Sequence, residues 1–130
     1  MPPVVVVGAG LAGLTVALAE SRRVPVVAHY LFYKAGGGED PHLRSGIAHF
    51  LEHLMFKGTS TLAPGEFSRV VARNGGRDNA FTSWDYTGYF QQIHRDRLAE
   101  VMALEADRMT LIAESTELMK IFAAIMRKSL

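Results

Sequence analysis

Two stretches near the start of the chain are apolar without helical spacing. Val4–Val7 is four valines in a row, and Val26–Tyr33 is β-branched, aromatic or apolar at almost every position. Runs of that length and composition predict strands, the second of them a central strand covered on both faces. The loop 35–41 follows, with three successive glycines and then Glu39, Asp40 and Pro41 as breakers. From Ser45 the period changes. Ile47, Phe50, Leu51, Leu54 and Met55 gather on one arc of a helical wheel, while His49, Glu52 and His53 gather on the other. The spacing predicts a helix capped near Ser45 and closed by Lys57-Gly58, a basic residue and then a glycine. A second helix is predicted over 64–73, with Phe67, Val70 and Val71 buried and Asn74-Gly75-Gly76 ending it.

Residues 79–83 and 86–93 read as the two strands of a hairpin, with Trp84-Asp85 at its turn. Leu98, Val101, Met102, Leu104, Met109 and Ile112 give an amphipathic helix over 95–112. The pattern continues over 111–130 through Leu118, Met119, Phe122, Ile125 and Met126, with a break around Glu114-Ser115-Thr116. A Met/Phe stripe at this spacing reads first as core. The expected fold is therefore α/β of the segregated α+β kind: a largely antiparallel sheet of two hairpins against about four helices. The chain divides into an apolar, glycine-rich leader (1–12), an α/β domain (13–110) and an amphipathic C-terminal helix (111–130).

Composition narrows the function classes. With 130 residues, 48% hydrophobic and 21% charged, the chain has the makeup of one globular domain. Net charge is +1, so nothing points to nucleic acid. Cysteine is absent, which excludes disulfides, thiolate ligands and a thiol nucleophile. The run 4–19 is glycine-rich and falls short of the roughly 20 apolar residues a membrane-crossing helix needs. Metal chemistry, if present, belongs to histidine and carboxylate.

That directs attention to His49-Phe50-Leu51-Glu52-His53, an H-x-x-E-H pattern. Histidines at i and i+4 share a helix face and can reach one tetrahedral Zn²⁺, with bonds of about 2.0–2.1 Å. A neighbouring carboxylate that is not itself a ligand can act as general base. His29, His42 and His94 have no partner at ligand spacing and read as ordinary surface or strand histidines.

The flanks carry more information than the five letters. SGIAHFLEHLMFKGT at 45–59, followed by NGGRDNAFTSWDYTGYF at 74–90, closely resembles the pitrilysin/insulinase family of zinc peptidases, which carries the inverted H-x-x-E-H motif. The resemblance runs from about Gly13 to Met109. It implies Zn²⁺ as cofactor, His49 and His53 as ligands, and Glu52 as general base. It further implies that the strand Asn79-Ala80-Phe81-Thr82 is an edge to which a peptide or unfolded polypeptide substrate adds as a further strand. On composition alone, an ordinary hairpin whose Phe81, Trp84, Tyr86, Tyr89 and Phe90 fill the core stands beside that reading. The family's third ligand, a Glu about 75 residues past the second histidine, would fall near Ser129, where no Glu stands. Glu105, Glu114 and Glu117 are the acidic residues available on helices, with solvated helix charge as the simpler role of Glu114 and Glu117. The family also pairs two related halves around a chamber, so a second peptidase-like half or subunit is an implied partner. The chain by itself is expected to bind zinc weakly and to hydrolyse little or nothing.

The N-terminus admits three readings. Val4–Val7 followed by Gly8, Gly10 and Gly13 fits a dinucleotide-binding G-x-G-x-x-G turn before a helix, but no carboxylate follows about 20 residues on. A secretory signal ending at Ala17-Leu18-Ala19 lacks a basic residue before its apolar run. The third reading makes 14–20 and 24–34 a β-hairpin turning at Ser21-Arg22-Arg23, and it resembles the opening hairpin of the peptidase family. Two other classes stand beside the peptidase: a non-catalytic peptide-binding or assembly module, and a dinucleotide- or flavin-binding protein built on Gly8–Gly13. A fused chain, with foreign ends on a family-like middle, is a further alternative.

Overall fold

A computed structural model describes the backbone of residues 4–9 and 14–21 and, with side chains, residues 24–111. Five strands make one antiparallel sheet: β1 (Val4–Ala9), β2 (Leu14–Ser21), β3 (Val26–Tyr33), β4 (Arg77–Thr82) and β5 (Thr87–His94). Their spatial order is β1-β2-β3-β5-β4, so β1 and β4 are the edges. Across the middle of the sheet, Leu18 lies opposite His29, His29 opposite Gln91, and Gln91 opposite Asp78. The α-helices among the described residues are α1 (Ile47–Leu54), α2 (Glu66–Arg73) and α3, which is helical from 98 to 111, the last described residue. The α+β class is thus met, but by one continuous sheet and three described helices in place of two hairpins and about four helices. Of the expected helix over 111–130, residue 111 is the last of α3, and the rest, with its Met/Phe stripe, lies outside the described residues.

The helices pack on one face of the β3–β5–β4 section. Alternation puts Val27, His29 and Leu31 of β3, with Tyr89, Gln91 and Ile93 of β5, on that face, all buried. Phe67 and Val71 of α2 meet Ile93 and Val101 of α3 in one cluster. Met55 and Tyr89 anchor a second, with Leu51, Phe56, Ala80 and Leu111 around them. Between the sheet and α3 runs a buried polar chain. His29 Nδ1 lies 2.8 Å from Gln91 Oε1, Gln91 Nε2 donates to Glu105 at 2.8 Å, and Arg108 donates twice to Glu105 at 2.6 and 3.0 Å. The Arg108 guanidinium lies over the Phe67, Tyr89 and Phe56 rings, 4.2, 4.6 and 5.3 Å from their centroids.

The opposite face corrects the expectation that β3 is covered on both sides. Its side chains there are half-buried, and Val26 is exposed. Tyr30, Phe32 and Phe90 stack along this face, and Phe81 and Tyr86 meet Phe32 edge to face. Of the five hairpin aromatics, only Tyr89 is in the core, because the pleat sends Phe81 and Phe90 to the other side and the turn carries Trp84 into solvent.

The N-terminal readings are corrected in the same way. Val4–Ala9, expected to be part of a leader, is the edge strand β1, paired Val4 to Ala19 through Ala9 to Leu14. A dinucleotide turn needs a helix after the glycines, whose N-terminus meets the pyrophosphate. Leu14–Ser21 is instead an antiparallel strand, so the helix such a turn must lead into is replaced by β2; Gly8 sits in β1, and Gly10 and Gly13 lie outside the described residues. No helix among the described residues is long and apolar enough to cross a membrane.

Candidate metal site and substrate edge

The helix that carries the histidines is held from a distance. Ser45 was the expected cap, but the backbone turns at Gly46 (φ 99°), which offers no side chain. Asp40 takes that role from the glycine-rich loop: its Oδ2 accepts from Gly46 N–H at 2.6 Å and its Oδ1 from Ala48 N–H at 2.9 Å. A carboxylate at this end satisfies two otherwise unpaired donors and faces the positive end of the helix dipole. The loop is itself fixed to the β4–β5 turn, where Gly37 N–H donates to Ser83 O at 2.9 Å and Gly38 N–H to Trp84 O at 2.8 Å. The backbones come so close that a Cβ on Gly36 would lie 2.4 Å from Ser83 O. α1 is therefore indexed to the tip of the hairpin. Its C-terminus comes earlier than Lys57-Gly58, with Met55 as the capping residue, and the chain reverses at Gly58 (φ 105°).

On α1, His49 and His53 both face solvent. Their Nε2 atoms are 3.1 Å apart and the rings 4.7 Å centroid to centroid. Two Zn–N bonds at a tetrahedral angle need a nitrogen separation of about 3.3–3.4 Å, so the imidazoles stand within a few tenths of an ångström of a zinc chelate. Neither has another side-chain hydrogen-bond partner among the described residues. They fit the nitrogen half of a zinc site.

Glu52 does not join them. The helical wheel places it with the histidines and assigns Phe50 and Leu54 to the core. The helix has rolled so that Glu52 (8% exposed) and Met55 face inward while Phe50 (63% exposed) and Leu54 face solvent. The partner that draws Glu52 in is Thr82, whose hydroxyl donates to Glu52 Oε2. No hydrogen bond is made to Oε1 by the described residues, which leaves one oxygen able to take a proton. The Tyr89 hydroxyl lies in the same region. Burial pushes its pKa up; Arg108 opposes the shift, and the Glu52 and Glu105 carboxylates add to it. Tyr89 is a neutral neighbour.

β4, the expected substrate strand, is the sheet edge beside α1. Asp78, Ala80 and Thr82 lie on its half-buried face, and Arg77, Asn79 and Phe81 on its exposed one. Asp78 accepts from Ser68 Oγ at 2.6 Å, Ala80 packs against the Met55–Tyr89 cluster, and Thr82 reaches Glu52. The Ala80 N–H is bonded by Asn79 Oδ1 at 2.9 Å, a contact within the strand itself.

The acidic candidates for a third ligand separate. Glu105 is buried, paired with Arg108 and bonded to Gln91, so both of its oxygens are already engaged. Glu114 and Glu117 lie outside the described residues. Among the described residues, no three His, Asp or Glu side chains converge as a metal site. Sequence reasoning missed two residues that shape this region, Asp40 and Thr82's link to Glu52. Asp40 stands six positions before the residue it caps and Thr82 thirty from its partner, so no local pattern marks either.

The family model described as Insulinase (Peptidase family M16) matches residues 15–120. The zinc protease PqqE of Helicobacter pylori is 44% identical over 79 residues, 61% of this chain and 18% of that protein. The uncharacterized zinc protease YmxG of Bacillus subtilis is 36% identical over 94 residues, 70% of this chain and 23% of that protein. Among solved structures, a protease from Helicobacter pylori superposes with a TM-score of 0.72 at 38% identity, over 83% of this chain and 26% of that one. Pitrilysin gives a TM-score of 0.65 at 26% identity, over 75% of this chain and 10% of that one. The chain spans about a fifth of the length of the two curated relatives.

Proposed function

Because the chain belongs to the insulinase family of peptidases, peptidase family M16, we propose that it carries the metal-ligand helix and substrate edge of a zinc-dependent peptide hydrolase. The observation that carries this reading is the pair of Nε2 atoms 3.1 Å apart on α1, the helix beside the sheet edge β4. His49 and His53 would hold the zinc as neutral imidazoles. Bound there, the ion supplies Lewis-acid activation of water and of the peptide carbonyl. Glu52, held by Thr82 through one oxygen, takes the proton of the attacking water on the other and passes it to the leaving amine. The substrate is an extended peptide or unfolded polypeptide that pairs with Asn79–Thr82. Backbone pairing gives affinity without selecting a side chain, and the Thr82 end of the strand places the scissile bond near Glu52.

Two deficits set the expected level of activity. The described residues supply two ligands, and a site completed only by solvent binds zinc weakly. The family resemblance implies that groups holding the carbonyl oxygen come from a second peptidase-like half; without such donors the rate falls by about 10²–10³ or more. The 130-residue chain is therefore expected to bind zinc through His49 and His53 and to cleave peptide slowly or not at all. Zinc stoichiometry and affinity of the wild type against His49→Ala test the assignment. Tight, near-stoichiometric zinc that survives His49→Ala would refute it. Rapid cleavage of an unstructured peptide, lost on chelation and in Glu52→Gln, would refute the expected inactivity.

A second reading has its own observation. Phe50 and Leu54 are exposed on α1 beside the imidazoles, and β4 is an open edge. These suit a non-catalytic assembly module that meets a partner chain there. A stable monomer in size-exclusion chromatography at high concentration would count against self-assembly through this surface.

A further inference from the structure

Glu52 immediately precedes His53 in sequence, yet it does not converge with the two imidazoles. A glutamate so close to a metal site has two incompatible uses. As a third ligand it tightens the metal and loses its basicity; kept off the metal, it remains a base. Helix geometry alone does not choose, since a glutamate side chain is long enough to swing between the two. Resting on the reading of His49 and His53 as zinc ligands, we infer that Thr82 is the positioning residue that makes the choice, holding Glu52 off the metal.

Three features support this. The Thr82 hydroxyl donates to Glu52 Oε2, a charge-assisted bond of the stronger kind. The donor is delivered rigidly: Thr82 is β-branched, stiff about its first side-chain bond, and on the half-buried face of β4. Glu52 is itself almost buried, so its carboxylate has little water to replace a lost partner. Without the hydroxyl, a cation held by His49 and His53 would offer that carboxylate another partner. The same strand thus offers its backbone to the peptide and its side chain to the base, so a substrate that displaces Thr82 also disturbs Glu52.

The test is a zinc titration of the whole chain against a chromogenic chelator, with the Co²⁺-loaded chain read by visible absorption. An ordinary supporting residue, when removed, weakens metal binding by about 10–100-fold. Here the opposite sign is expected. Thr82→Val and Thr82→Ala should bind zinc about tenfold more tightly, with an altered Co²⁺ spectrum, as a carboxylate replaces water. Thr82→Ser should restore the wild-type values, and Glu52→Gln in the Thr82→Val background should abolish the gain. Circular dichroism establishes that each variant is folded, and Thr82→Ala carries the test if the valine does not fit. Unchanged or weaker binding in both hydroxyl-free variants, with zinc still lost in His49→Ala, would overturn this inference alone. Binding indifferent to His49→Ala would overturn the zinc assignment and this inference with it.

Discussion

Replacing Arg108 with Met is expected to be among the most damaging single changes available to this chain. The guanidinium and its partner Glu105 are each 1% exposed, joined by two hydrogen bonds of 2.6 and 3.0 Å. Methionine fills much of the arginine stem but leaves the Glu105 carboxylate buried with, among the described residues, only Gln91 Nε2 to bond it. Breaking a buried pair on one side costs about 3–5 kcal/mol. Contacts to three aromatic rings are lost as well, worth up to about 2 kcal/mol when desolvated and partly replaced by methionine–ring contact. The pair is not ideal to begin with, since Arg108 Nη1 is buried with no hydrogen-bond partner among the described residues. That imperfection lowers the net worth of the pair without lowering the cost of halving it. Against a total stability of about 5–15 kcal/mol for a domain of this size, the single variant should be near unfolding. Replacing both Glu105 and Arg108 with Met removes both charges and leaves chiefly the Gln91 amide unpaired, at about 1–3 kcal/mol. The double variant is thus expected to be more stable than Arg108→Met. Urea unfolding followed by circular dichroism, extrapolated to water, measures all three proteins. A double variant no more stable than Arg108→Met, or a single variant costing under about 1 kcal/mol, would show that charge burial does not dominate this site.

Other changes separate the candidate site from its scaffold. Glu105→Gln should destabilise the fold in urea while leaving the zinc affinity of the residual folded chain unchanged; a loss of zinc at constant stability would restore Glu105 as a ligand. Asp40→Ala removes the acceptor for two N–H groups at the start of α1 and should cost about 0.5–2 kcal/mol. Zinc titration of that variant should also show weaker binding, because His49 sits in the first turn it frays. Burial first, and then the Glu105 carboxylate, pushes Tyr33 above the ordinary tyrosine range, with Arg108 opposing; Tyr89 is raised chiefly by burial. A raised folded pKa means that stability is whole below the unfolded value of about 10 and is lost as pH rises beyond it. Tyrosinate absorbance from these two residues should therefore appear only as the circular dichroism signal collapses. Ionisation of both in a still-folded chain would contradict their burial.

Much of the chemistry was legible one residue after another. Helical periodicity brought His49 and His53 onto one face, since four residues make nearly one turn, and no distant contact was needed for that. A β-branched and aromatic run marked β3, the hairpin pattern around Trp84-Asp85 marked β4 and β5, and the flanking letters identified the family. Other features depended on pairs far apart in sequence. Which side of α1 is buried could not be read from its apolar arc, because a glutamate bonded to Thr82 is cheaper to bury than it looks and Phe50 tolerates solvent. The cap of α1 came from Asp40 across a loop, not from Ser45 beside it. Glu105 changed from possible ligand to buried ion-pair partner only when β5 presented Gln91 and α3 presented Arg108 to it. Local spacing fixes what a helix face offers, since backbone geometry repeats with every residue. Tertiary contact decides which of those groups is spent on the fold and which is left for chemistry, since that depends on which partners the sheet brings within hydrogen-bond reach.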